Sequence, residues 1–193
     1  MAKRIVIYSE CPHAALGLAS LCQNLPGKSD CQVVMTLDAL HQALIQPIVT
    51  LLLCVAKGTT EEMAGLLEMS VPKYCHRGSV TLHDTPVLKR MFDAAGFDMV
   101  LSAREPLASL AERLRLMWRR TPQQYKQQCK KATIYLAKER AVLCELLRGK
   151  NLHYIADNFG LSYNSVSRYK QRGLRRTGID SLNAMICELN GNR

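Results

Sequence analysis

Five short apolar runs, each followed by a segment with helical spacing, fill the first 120 residues, and this alternation most restricts the fold. Lys3–Tyr8, Cys31–Met35, Ile48–Val55, Ser79–Leu82 and Phe97–Leu101 read as strands. Pro12–Asn24, Leu37–Ile45, Glu61–Met69 and Pro86–Ala95 read as helices. A last helix carries Leu107, Leu110, Ala111, Leu114, Met117 and Trp118 along one face, with Trp118 looking exposed at its end. Strands and helices in this order predict a parallel, doubly wound sheet of the flavodoxin-like kind.

The longest apolar stretch, Ile48–Ala56, is far shorter than the ~20 residues a bilayer span needs, and Ile5–Tyr8 is too brief for an export signal. A soluble, cytoplasmic protein without membrane contact is expected. Of the 193 residues, 48% are hydrophobic and 22% charged, which suits one large folded domain or two small ones. Eight cysteines (11, 22, 31, 54, 75, 129, 144 and 187) form no C-x-x-C pair and sit mostly among apolar neighbours, so reduced core thiols are expected. Cys75, His76 and His83 lack the paired short spacing of a structural zinc site, and neither a metal nor any other cofactor is expected.

Charge divides the chain. Residues 1–120 carry 13 basic and 11 acidic side chains, whereas residues 121–193 carry 13 basic and 5 acidic. A near-neutral first part joined to a basic last third is the asymmetry of a chain in which one module meets a polyanion. The Gln-rich segment after Arg119, with Pro122, reads as a linker over 120–133. That places one domain at 1–119 and a second at 134–193.

The second domain reads as all-helical. Leu136–Leu147 closes at Gly149, a short helix follows Asn151, and a longer one runs from Tyr163 to about Arg176, with Ser181–Leu189 last. Four positions fit the mechanics of a helix-turn-helix: Ala156 where two helices touch, Gly160 at the turn, Ser162 as N-cap and Val166 as the buried aliphatic of the second helix. Arg168, Gln171, Arg172 and Arg175 fall on one stripe at i, i+3, i+4 and i+7, suited to a major groove. Arg168 suits guanine and Gln171 adenine.

Lys138–Leu143, Gly149, Ile155-Ala156, Leu161-Ser162, Ser165-Val166 and Gly178-Ile179 resemble the LuxR-type four-helix DNA-binding domain. The resemblance implies that the third helix enters the groove and the fourth supports dimerisation. It implies Ser167, Arg168 and Gln171 at bases, and Asn164, Ser165, Tyr169, Lys170, Arg172 and Arg175 near phosphates. Leu136, Tyr154, Tyr169, Gly173 and Thr177 depart from the family pattern, and Gly173 costs a helix about 1 kcal/mol relative to Ala.

The first domain resembles the receiver of response regulators. A receiver uses acids after its first strand for Mg²⁺, an Asp ending the third as phosphoacceptor, a Thr or Ser after the fourth and a Lys after the fifth. Here Glu10 stands alone beside Cys11, Cys54 occupies the phosphoacceptor position, and Leu101-Ser102-Ala103 lacks the lysine. Cys54 reads either as a packing residue or as a redox-sensing thiolate. This combination is similar to the RcsA-like and BglJ-like auxiliary regulators of enteric bacteria. The expectation is a dimeric bacterial transcriptional regulator, not an enzyme, that binds double-stranded DNA and is not controlled by aspartyl phosphorylation. The rival is an interaction protein that heterodimerises with another LuxR-type regulator and makes little specific DNA contact itself. Expected partners are DNA, a second copy or another LuxR-type chain, and RNA polymerase.

Overall fold

The structure, a computed structural model, describes residues 3–27, 29–45, 49–72, 75–119 and 134–190. The first part of the chain alternates strand and helix: β1 (Lys3–Ser9), α1 (Pro12–Gln23), β2 (Ser29–Val34), α2 (Leu37–Ile45), β3 (Val49–Ala56), α3 (Thr60–Glu68), β4 (His76–Thr81), α4 (Pro86–Ala94), β5 (Met99–Ser102) and α5 (Leu107–Arg119). Among the described residues four helices follow: α6 (Ala137–Leu147), α7 (Leu152–Phe159), α8 (Tyr163–Arg176) and α9 (Leu182–Asn190). The expected α/β part followed by an all-α part is therefore present. The linker expected at 120–133 lies outside the described residues.

Packing sorts the chain into two compact units. The first holds residues 1–57, 70–82 and 97–131, which bring together the sheet, α1, α2 and α5. All its strand pairs are parallel and their order is β2-β1-β3-β4-β5, the doubly wound order predicted from the alternation. Ile5 and Ile7, Leu51, Leu53 and Val55, Val80 and Leu101 alternate onto one face. There they pack with Leu18 and Cys22 of α1 and with Leu110, Leu114, Met117 and Trp118 of α5.

Two details of this unit depart from the sequence reading. Trp118 is buried, not exposed: its indole N–H donates to the Pro26 carbonyl at 2.9 Å, and the Lys3 ammonium lies 4.5 Å from the ring centre. β4 begins at His76, three residues before the expected Ser79, because the sheet accepts Arg77-Gly78 as strand. At Gly78 a side chain is excluded by packing, since a Cβ would lie 2.9 Å from Leu53 Cδ2.

The second unit comprises residues 58–69, 83–96 and 132–193, so α3 and α4 pack with the four C-terminal helices. α3 lies along α6, and the Arg148 guanidinium at the end of α6 pairs with Glu68 of α3 and, at 2.8 Å, with Glu145. Arg90 of α4 donates to the carbonyls of Thr177 and Gly178, at 3.1 and 3.2 Å. Val142, Leu143, Ile155, Val166, Leu174 and Met185 form the buried centre of the C-terminal helices.

Candidate nucleic-acid interface

α7 and α8 are joined by a turn whose geometry follows from three residues. Asn151 caps α7, its side chain accepting the Tyr154 N–H at 2.9 Å. Gly160 ends α7 in the left-handed region, at φ 61° and ψ 37°. Its N–H bonds the Asp157 carbonyl and that of Leu161 the Ala156 carbonyl, a Schellman closure. Ser162 then opens α8, its hydroxyl accepting the Ser165 N–H at 3.2 Å. Ala156 and Val166 are both buried, so all four residues expected for the helix-turn-helix occupy those places.

The stripe on α8 is open. Asn164, Arg168, Gln171, Arg172 and Arg175 are exposed, while Val166, Gly173 and Leu174 are buried on the opposite side. Ser165, Ser167, Tyr169 and Lys170 are half-buried at the flanks. Ser165 is engaged with the cap, its hydroxyl 2.9 Å from that of Ser162. Tyr169 has the Lys138 ammonium 5.9 Å from its ring centre.

Two departures from the family pattern have structural reasons. A Cβ at Gly173 would lie 2.7 Å from Leu143 Cδ1, so α6 and α8 approach too closely there for a larger residue. Leu136, in place of a hydroxyl residue, caps α6 without a side-chain bond, and only the Glu139 half of a capping box forms, with Glu139 accepting the Leu136 N–H at 3.0 Å. Glu139 is fully buried and also accepts from Arg176 of α8. Burial acts to raise its carboxyl, but the Arg176 guanidinium, the Leu136 N–H and the nearby Arg172 charge outweigh it and hold the group below the usual carboxylate range. Sequence reading assigned no role to this pair.

The carboxyl end of the sheet carries the other candidate positions. Glu10 pairs with Lys57 at 3.0 Å, both half-exposed. Cys54 is fully buried, in register with Tyr8 of β1 and Ser79 of β4. Thr81 ends β4 and donates its hydroxyl to the Leu101 carbonyl at 3.1 Å. Sequence reading left this buried hydroxyl unassigned. Past β5, Glu105 accepts the Ser102 N–H and a two-point bond from Arg113 at 2.9 and 3.1 Å. Among the described residues no group of three or more His, Cys, Asp or Glu side chains is placed to hold a metal. No described helix is long and apolar enough to cross a membrane.

No protein-family model matches the chain, nor does any curated protein. Solved structures do. RcsB from Salmonella enterica serovar Typhimurium, bound to promoter P1flhDC in the presence of phosphomimetic BeF3⁻, is 13% identical at a TM-score of 0.52, over 99% of this chain and 100% of that one. A structure of two RcsB dimers bound to two parallel DNAs gives 14% and 0.51, over 98% and 99%. A complex of the two-component response regulator RcsB with DNA gives 13% and 0.50, over 100% and 99%. The chain therefore has the two-part fold of a LuxR-type response regulator, a receiver-like sheet followed by a helix-turn-helix bundle.

These structures correct the functional expectation. RcsB is seen on DNA directly and as dimers, and a phosphomimetic accompanies its promoter-bound state. A regulator set apart from aspartyl phosphorylation, and an indirect interaction protein with little DNA contact, are both withdrawn as readings of the chain.

Proposed function

We propose that the chain is a sequence-specific, double-stranded-DNA-binding transcriptional regulator that acts as a dimer on bacterial promoters, in the cytoplasm. The observation that carries this reading is α8. Its exposed stripe of Asn164, Arg168, Gln171, Arg172 and Arg175 follows a capped, glycine-closed turn, and its opposite side is buried. Arg168, Gln171 and Ser167 read base edges, and Arg172, Arg175, Lys170, Asn164, Ser165 and Tyr169 hold the backbone on either side. The partner in the dimer is a second copy or another LuxR-type chain, and half-sites about one helical turn apart follow from two-fold symmetry. The closer resemblance to RcsA-like and BglJ-like regulators rests on the residue pattern, and a contact with RNA polymerase follows only from the regulator reading.

Selection from random duplexes by the full-length chain, followed by titration of the selected and a scrambled duplex, tests the reading. Arg168→Ala is expected to cost about 1–3 kcal/mol on the selected duplex and to relax preference at one position per half-site. Arg172→Ala and Arg175→Ala are expected to weaken both duplexes alike. Unchanged discrimination by Arg168→Ala overturns the groove assignment.

A further inference from the structure

Beside α8, on the edge made by α7, two exposed rings each carry a cationic or proton-binding head. The Lys150 ammonium lies 5.1 Å from the centre of the Tyr154 ring. The His153 and Tyr163 rings lie 4.7 Å apart, tilted by 31°. Lys150, His153, Tyr154 and Tyr163 are all exposed, and none belongs to the stripe assigned to the groove.

Tyr163 is the first residue of α8, the end that carries base-reading side chains in a helix-turn-helix. His153 reaches that end from α7, so whatever brings the start of α8 into a groove brings His153 to the groove's wall. That wall is phosphate. Lys150 sits on the same stretch, four residues before Tyr154, and the ring restricts a side chain that otherwise loses much rotamer freedom on binding. An ammonium, an imidazole N–H and two phenol hydroxyls are all hydrogen-bond donors to phosphate oxygen.

Resting on the proposed DNA-binding reading, we infer that Lys150 and His153, seated on Tyr154 and Tyr163, form a backbone grip that holds one DNA strand beside α8. Because phosphates carry no base identity, the grip adds affinity on any sequence.

The test uses the full chain on the selected and the scrambled duplex, between about 50 and 200 mM salt, where each phosphate contact contributes a slope of about −0.9. Lys150→Gln is expected to weaken both duplexes by the same factor. It should also shrink the affinity lost across this fourfold salt range by about 3.5-fold per subunit. His153→Ala is expected to weaken both duplexes by the same factor. Tyr154→Leu keeps the Lys150 charge but removes its seat, and weakens binding with the salt slope unchanged. Circular dichroism melts confirm that each variant is folded.

Unchanged salt slopes in Lys150→Gln, or a loss confined to the selected duplex, overturn the grip. A loss in His153→Ala confined to the selected duplex overturns its place in the grip. If Arg168→Ala leaves discrimination intact while the Lys150 and His153 effects persist, the groove assignment fails and the grip stands. Absence of any binding by the unaltered chain overturns both.

Discussion

The buried Glu139 carboxylate at the start of α6 is clamped by Arg176 at the end of α8, and so ties the first and third C-terminal helices together. Arg176→Ala leaves that charge buried without its partner, and a loss of about 3–5 kcal/mol in urea unfolding is expected. The carboxyl titrates below its ordinary 4.5, so the unfolded chain takes up the proton first. The stabilisation is then full above about pH 4.5 and disappears as the pH falls through the lowered folded value. Glu139→Gln is expected to be less stable at pH 7 and to show a flatter acid limb. An acid limb as steep as that of the unaltered chain counts against the assignment.

Gly173 of α8 packs against the Leu143 side chain of α6, and their substitutions should not add. Gly173→Ala gains about 1 kcal/mol of helix propensity but forces Leu143 to move, an overpacking cost of about 1–3 kcal/mol. Leu143→Ala opens a cavity at about 2–5 kcal/mol. The double variant puts the new methyl group into that space, so a double-mutant cycle is expected to give a favourable coupling of at least about 0.5 kcal/mol. A coupling of zero would show that the two residues do not share the space.

Trp118 is the single tryptophan of the chain and belongs to the sheet-bearing unit. Buried beneath Lys3 and bonded to Pro26, it should emit at short wavelength in the native protein and resist quenching by iodide. Lys3→Ala is expected to increase quenching and to cost about 0.5–1 kcal/mol, the range of a cation–π contact near solvent. A red, freely quenched native emission would contradict the burial.

Thiol reactivity should follow exposure. Cys187 is exposed, Cys11 and Cys31 are half-buried, and Cys22, Cys54, Cys75 and Cys144 are buried. Burial also pushes the Cys75 and Cys144 thiols up to about 12, which leaves them protonated at neutral pH. Mass mapping after brief alkylation of the native chain is expected to find, among the described cysteines, Cys187 modified well before Cys54, which reacts only when the protein unfolds. Labelling of Cys54 as fast as Cys187 would restore the case for a sensing thiolate.

The elements most legible in sequence were those whose signal is local. Leu37–Ile45 matches α2 residue for residue, and the cap and closing glycine of α7 sit where side-chain and backbone chemistry required them. The start of β4 was missed because a strand is specified by its neighbours: Arg77-Gly78 has no apolar pattern, and only Leu53 and Met117 reveal why a glycine stands there. Trp118 looked exposed because helical spacing gives a face but not what covers it. On α8 the exposed stripe followed from spacing alone, whereas the Glu139–Arg176 pair joins residues 37 apart and leaves no trace in either segment.

The closure that ends α7 is repeated: α6 and α8 also finish at left-handed glycines, Gly149 and Gly178, each with the same pair of backbone bonds. Three consecutive helices thus carry their own stop signals within six residues of chain. The sheet has the opposite character, since β1 finds β3 only across an intervening strand and two helices. Folding rate falls as contacts become less local, so the helical tail should reach native-like secondary structure well before the sheet is paired. During synthesis the order is reversed, because the slow sheet emerges first and gains a head start on the fast helices.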